Sequence, residues 1–423
     1  MTVAADRAAL IAALTARRDL ADWSVRVVTA RVAWRTLGDD DRAGTLVRTT
    51  LSAELHRDSA AGRGSAQLTL TGAGDARAAV VQAIARADAA VGPAWASPAP
   101  AAPARVEVAD PAIDPDHPEP TLTALGAALA AAVVAPATVV RAELEVAVDD
   151  VELFTRRGQR ARWRETAVAV TATVTAGARA GTITSRARRT AELALAGDVA
   201  AALAGDPAAP PLPPGRYPVV LTAPALLHGD LGLLGAFAAQ ADPRLERQGL
   251  VRYHPGQPIA PGAILTLDSD GTLPFGWASA PLGPHGDAVR RFPLITRGVA
   301  VGLGLDPREA ALRGQLPNGG VRGLVVPPGA DDDAALLAPG ALVIDRLTWL
   351  ELDRTTGWFR AGFDTGRWQE PSGPGAAERP VGAGTLRGDA IALVGRARTS
   401  RAVTATPSYR GPALWHLGAV TVD

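Results

Sequence analysis

Cysteine is absent from the 423 residues, which excludes disulfides and thiolate metal sites. Lysine is absent as well, so all 43 basic residues are arginine. With abundant Ala, Gly and Pro beside it, that bias fits a GC-rich genome better than selection for anion binding. An excess of either charge is also missing, since 43 acidic residues balance the basic ones. A nucleic-acid binder normally shows a basic surplus, so no nucleic-acid partner is expected. Long strongly apolar runs are missing too. Thr121–Val140 carries no charge over a length that could span a bilayer, but it is mostly Ala, Gly and Thr with Pro136 inside. It reads as a buried helix followed by a strand, and no membrane span is expected. The first twenty residues place Asp6 and Arg7 where a signal peptide would be apolar, so they read as a capped amphipathic helix. A cytoplasmic location is expected.

What the chain does contain is 47% hydrophobic and 20% charged residues, the balance of a folded protein. Its length exceeds what one core usually serves, so two domains are expected, 1–205 and 206–423. Residues 1–96 read as an α+β unit. Leu10, Ile11 and Leu14 form one helical stripe. Trp23, Val25 and Val27 alternate with Ser24 and Arg26, as in a half-buried strand. Val47, Leu51, Ala53 and Leu55 are expected inward, against Arg48, Ser52, Glu54 and His56 outward. His56 then lies on a solvated face. A turn at Gly62–Gly64 predicts a hairpin into Ala66, Leu68 and Leu70. Asp75 predicts a cap for a helix reaching Val91, with Val80, Val81 and Ile84 toward the sheet.

Residues 96–104 (ASPAPAAPA) read as an extended linker leading to a further strand, Arg105–Val108. The runs 142–148 and 168–174 alternate like antiparallel strands around a basic tip, TRRGQRARWRE (155–165). A helix is expected near Ala191–Leu203. GDPAAPPLPPG (205–215) holds five prolines, can be neither helix nor central strand, and marks the boundary. Beyond it, turn signals such as Asp270-Gly271, Asn318-Gly319-Gly320 and Thr356-Gly357 separate short apolar runs. The expected class is therefore α+β. The N-terminal domain has an antiparallel sheet with flanking helices; the C-terminal one is mostly antiparallel β, barrel- or sandwich-like, with a helix at Asp306–Gly314.

The segment 216–237 (RYPVVLTAPALLHGDLGLLGAF) is the most informative. A β-like run enters a helix-like apolar stretch that carries one histidine, His228. Hydrolytic zinc sites at such a place use two imidazoles for the metal and a glutamate for the water, as in HExxxH. Here Gly229 stands where the glutamate would, and Leu233 where the second histidine would. One imidazole does not hold zinc, so no metal and no catalytic residue is expected there. Asp230 and His254 could join His228 in an atypical ligand set, although their spacing matches no metal signature.

Other segments carry weaker signals. LDSDGT (267–272) fails the calcium-loop pattern, because Thr266 takes the first position and Trp277 the twelfth; it reads as an Asp-stabilised turn. VGLGL (301–305) lacks the third glycine of a dinucleotide loop. PNGG (317–320) has the backbone freedom to approach a ligand, or is a plain turn. TGWFRAGF (356–363) reads as a core strand or as an edge able to pair with a peptide. His117, His285 and His416 suggest no cluster.

From about Arg216 onward the chain resembles the TldD/PmbA family of cytoplasmic metallopeptidases. The resemblance rests on segments in family order: 218–232, 265–274 (LTLDSDGTLP), 293–303 (PLITRGVAVGL), 316–329 (LPNGGVRGLVVPPG), 342–363 and 406–423. Block 64–91 extends it more loosely toward the N-terminus. In that family, TldD-type chains are catalytic and carry HExxxH and a cysteine, which the resemblance implies as metal ligands; PmbA-type (TldE) chains lack the motif and partner them. This sequence resembles the PmbA type. The resemblance implies zinc in a TldD-type partner, none in this chain, and a peptide substrate. It implies a groove near Asp268, Asp270, Asn318, Gly319 and Gly320, to which the edge reading of 356–363 adds Trp358 and Phe359. Two other readings stay open: a stand-alone homodimeric peptide-binding protein, and a metallohydrolase using His228, Asp230 and His254.

Overall fold

The computed structural model describes residues 3–423 apart from 39, 72–74, 98, 205, 207 and 371–377. Met1 and Thr2 of the N-terminal segment, 72–74 of block 64–91, Pro98 of the linker, and Gly205 and Pro207 of the boundary lie outside the described residues.

Alternation of small apolar and polar side chains produces unusually long strands. β1 (Asp22–Leu37), β2 (Arg42–Ser59) and β3 (Gly62–Thr71) form a meander, with the short β4 (Val91–Gly92) on its edge. β5 (Thr138–Thr155), β6 (Arg160–Ala176) and β7 (Arg179–Ala187) form a second meander. The two join antiparallel through β1 and β5, giving one sheet in the order β4-β3-β2-β1-β5-β6-β7. Helices α1 (Val3–Thr15) and α2 (Ala76–Ala89) bury Leu10, Leu14, Val80 and Ile84 over Val25, Val27, Leu51 and Leu55. Helices α3 (Glu119–Ala132) and α4 (Leu195–Ala202) cover Val146, Val148, Val168 and Val170. Each fully buried Val, Leu or Ile contributes about 1.5–3 kcal/mol, which holds the helices to the sheet. Asp75 caps α2 as the sequence predicts, accepting hydrogen bonds from the amides of Arg77 and Ala78 at 2.9 and 3.1 Å.

Two inward assignments are corrected. Val47 is 61% exposed and Val81 55% exposed, because β2 outruns the helix layer and Val81 sits on the outer flank of α2. Arg105–Val108 is not a strand. Residues 101–108 instead form a strap over the C-terminal half. The amide of Ala101 donates to the carbonyl of Gly286 (3.1 Å), that of Ala104 to Pro281 (2.8 Å), and that of Phe275 to Glu107 (2.6 Å).

The rest of the chain is β-rich. β8 (Gly215–Thr222) is followed by β9 (Leu267–Asp270), β10 (Arg291–Thr296), β11 (Val299–Ala300) and β12 (Gly323–Val325). Then come β13 (Leu342–Ile344), β14 (Trp349–Leu352), β15 (Trp358–Phe363), β16 (Gly366–Gln369), β17 (Glu378–Val381) and β18 (Gly384–Asp389). The last are β19 (Arg398–Thr399), β20 (Val403–Thr406), β21 (Tyr409–Pro412) and β22 (Leu414–Val422). One sheet runs β11-β10-β9-β12-β21-β20; the other runs β14-β15-β18-β22-β8-β13-β16-β17, with β19 on β22. Only the β12–β21 and β13–β8 pairs are parallel among the described strands. A single core unites both sheets, with Trp415, Tyr409, Phe237, Phe359 and Phe363 fully buried. The fold class is thus α+β, as expected. No helix among the described residues is long and apolar enough to cross a membrane.

The helix-free face of the N-terminal sheet meets the C-terminal half. Val148 faces the helices, so Val151, three residues on, faces the other way, and it is buried too. The seam is pinned by Arg188, itself buried. Its guanidinium donates to the carbonyls of Gly276 (2.9 Å), Trp277 (2.9 Å) and Val108 (3.1 Å) and to Glu165 (3.2 Å). Arg186 lies over the Trp277 ring at 4.2 Å and Arg189 over Phe275 at 3.7 Å.

Candidate functional site

The segment around His228 is not a continuous helix. α5 (Ala223–Leu226) stops after four residues, Gly229 takes φ +81, and Gly232 takes φ +47 before a 3₁₀ turn at Gly232–Leu234. A Cβ on Gly232 would sit 1.9 Å from the Leu226 carbonyl oxygen, so the break is built into the packing. The helix-like reading is corrected accordingly. Leu233 is completely buried in the central core. His228 is half-buried and bonds the backbone of Leu347; burial lowers its pKa from the ordinary value, against the raising effect of that bond. Asp230 accepts a hydrogen bond from the hydroxyl of Ser408, and His254 lies 3.6 Å from Glu246. His228, Asp230 and His254 each answer to a different partner, so the atypical ligand set does not assemble. The residues in the HExxxH place do not fit a zinc ion: a glutamate needs helical backbone there, and Gly229 is left-handed.

The suggested groove residues divide between two places. Asp268 and Asp270 lie on β9, where Asp268 pairs with Arg291 at 2.7 Å. Asp270 accepts from the Thr272 amide (2.8 Å) and hydroxyl (2.7 Å), an Asx turn of the kind the sequence suggests. Asn318 is buried: its side chain accepts from the Leu305 amide (2.8 Å) and donates to the Leu303 carbonyl (2.8 Å). Gly319 and Gly320 take φ +87 and +78. Arg322 ties this loop to β9: its guanidinium donates to the Gly319 carbonyl (2.8 Å) and its amide to Ser269 Oγ (2.8 Å). Arg322 lines a cavity of about 250 Å³ at the seam, with Arg26, Leu153, Glu165, Trp277 and Leu282; none of the suggested groove residues is in that lining. Trp358 and Phe359 are elsewhere, on β15. That strand is paired on both sides, by β14 and β18, so it offers no peptide an edge. Phe359 is in the core; Trp358 is 47% exposed beside Arg252 and Asp389.

The seam also gathers residues that the sequence left apart. Glu54 and His56 lie two apart on β2 and therefore share a face, the one covered by the C-terminal half. His56 is 3% exposed, which corrects its reading as solvated. His285 arrives from the turn 283–287, closed by the Gly283 amide on the Asp287 carbonyl (2.9 Å) and Gly286 on Gly283 (3.0 Å). The two Nε2 atoms stand 3.8 Å (His56) and 3.6 Å (His285) from different oxygens of Glu54. All three ligand-type atoms fall within 4.8 Å of one another, the one such trio among the described residues. Ser65 Oγ, directly across the ladder, lies 2.9 Å from His56 Nδ1, and Gln67 donates to Glu54 at 3.3 Å. The edge of Trp95 meets the His56 ring at 4.9 Å, and Arg63 stacks on Trp95 at 4.7 Å. Burial pushes the His56 pKa down to about 4, so the imidazole is neutral near pH 7, with both lone-pair chemistry and one N–H available. Sequence order hid this trio; the short polar run Ser24, Ser52, Ser65 on that face is the sole hint that it is covered.

Residues 214–418 match the family model for the PmbA/TldA metallopeptidase C-terminal domain. That span is therefore a C-terminal domain of the TldD/PmbA type. The fold of the chain is similar to that of a Thermotoga maritima protein described as a candidate modulator of a DNA gyrase, with TM-score 0.78, 16% identity and 100% of both chains covered. A Bacteroides thetaiotaomicron protein of the same description gives 0.77 at 16% identity, covering 100% of this chain and 99% of that one. TldE from Thermococcus kodakarensis gives 0.76 at 15% identity with 100% of both covered. No curated protein matches the chain by sequence.

Proposed function

We propose that this chain is the non-catalytic, TldE-type subunit of a cytoplasmic TldD/PmbA peptidase assembly, with residues 1–205 and 206–423 as its two domains. The observation that carries the reading is the broken segment at His228. Gly229 and Leu233 replace the glutamate and second histidine, and the backbone between them is not helical. Without an activated water this chain does not cleave peptides, so the zinc and the hydrolysis belong to a TldD-type partner. Its likeness in fold to TldE of Thermococcus kodakarensis supports the subtype. The chain's part is to complete the enclosure in which an unfolded or leader peptide is held.

Co-expression with the TldD-type chain of the same genome tests this. The expected result is a stable complex with peptidase activity that disappears when the partner's motif glutamate is replaced by glutamine. Failure to associate, together with a stable self-dimer that binds extended peptides regardless of chelator, would instead establish a stand-alone peptide-binding protein.

A further inference from the structure

We propose that Glu54, His56 and His285 together bind one divalent transition-metal ion of the zinc class, which fastens turn 283–287 to the N-terminal sheet. This site is separate from the His228 segment and does not depend on the subunit role proposed above. Two imidazoles and one carboxylate are a donor set that suits zinc, cobalt or nickel, whereas calcium and magnesium prefer oxygen alone. Bonds of about 2.0–2.2 Å in a tetrahedral shell set ligand atoms roughly 3.3–3.6 Å apart. The observed separations of 3.6 and 3.8 Å, to different oxygens of Glu54, are slightly wider and beyond hydrogen-bond reach, and the three ligand atoms all lie within 4.8 Å of one another, so small side-chain rotations would close the shell. The three side chains thus converge on a common point without bonding one another.

The surroundings are those of a held ligand set. Ser65 engages Nδ1 of His56, which leaves Nε2 directed toward Glu54, the outer-shell arrangement that orients a metal-binding imidazole. Gln67 steadies the carboxylate. The strap residue Ala101 holds Gly286, next to His285. An adjoining cavity of about 20 Å³, lined by His56, His285, Trp95 and Asp22, has room for one water molecule as a fourth ligand. The ligands come from both halves of the chain, so the ion would act as a clasp across the seam.

The test uses the full chain free of any histidine tag, stripped with chelator and dialysed. Zinc is titrated by calorimetry, and cobalt by visible absorption. Binding of one zinc per chain, cobalt d–d bands, and a raised unfolding temperature are expected for the wild type. His285→Ala, on a turn rather than in the sheet, is expected to lower zinc affinity more than about 100-fold, and Ser65→Ala about 10–100-fold. His254→Ala leaves binding unchanged. Absence of stoichiometric zinc in the wild type, or equal affinity in His285→Ala and wild type, would overturn the proposal. So would magnesium binding as tightly as zinc.

Discussion

His228 sits where a metal motif would begin, whereas His56 and His285 stand in different halves of the chain with no motif around them. The structure reverses their promise. At His228 the motif positions are a left-handed glycine and a core leucine; at the seam three ligand-type side chains meet. Spacing along the chain reports a metal site only when the backbone between the residues is regular. Where ligands come from separate elements, convergence is set by which face of a sheet is covered, and by what.

The sharpest way to break this comparison is to restore the missing motif. The double variant Gly229→Glu, Leu233→His supplies every residue of HExxxH. Leu233 is fully buried, so replacing it removes core packing and buries an imidazole. A glutamate at φ +81 adds backbone strain. The expected loss is on the order of 5 kcal/mol, read by urea denaturation, with neither zinc nor peptidase activity gained. A stable double variant that binds zinc and cleaves peptide would show that residue identity alone had silenced the segment.

The next largest effect concerns what holds the seam apart from any ion. Arg188 is buried and donates to four carbonyls and Glu165 at once. Arg188→Ala removes a buried donor shared by these acceptors, the Gly276 and Trp277 carbonyls across the seam among them, and is expected to cost about 3 kcal/mol. Amide hydrogen exchange should rise first in 275–287, the run that carries Trp277 and His285. If exchange rises evenly over the whole chain instead, the seam is not a separately opening unit.

Much of the architecture was legible because it follows from local pattern. The long alternations give the strand β1 and the β2–β3 and β5–β6 hairpins where they are expected, and Asp75 and Asp306 cap helices where the sequence places them. The failures share one cause, the covering of one element by a distant one. Val47 alternates in phase with Leu51 but lies beyond the helices. His56 lies on the polar face, which the sequence reads as wet, yet the strap and turn 283–287 seal it. The run 105–108 has strand-like composition, but its Glu107 carbonyl accepts from Phe275 of the other half and its Val108 carbonyl from the Thr166 amide and Arg188, so no ladder forms. Asn318 looked like a free turn residue because its partners, Leu303 and Leu305, are brought near only by the folded loop. The family blocks were legible for the opposite reason: they record the C-terminal core directly, and the matched span 214–418 covers most of them.

The smallest effect is expected at His228 itself, and it separates a packed histidine from a silenced ligand. Its side chain bonds the Leu347 backbone while half-buried, and its pKa is lowered because burial disfavours the charged ring. A lowered folded value means the unfolded chain takes up its proton first as pH falls. The neutral ring therefore contributes stability that is complete above the ordinary histidine range, near 6.5, and lost as pH drops through the lower folded value. His228→Gln keeps a donor at the site but cannot titrate. It should cost about 1 kcal/mol or less at pH 8, through imperfect replacement of one hydrogen bond. It should also flatten part of the decline in stability as pH falls below about 6.5, measured by urea unfolding at each pH. Zinc titration of this variant should match the wild type. Were the decline unchanged, or zinc affinity reduced, His228 would be more than a packing residue, and the contrast between the two regions would fail from its better-understood side.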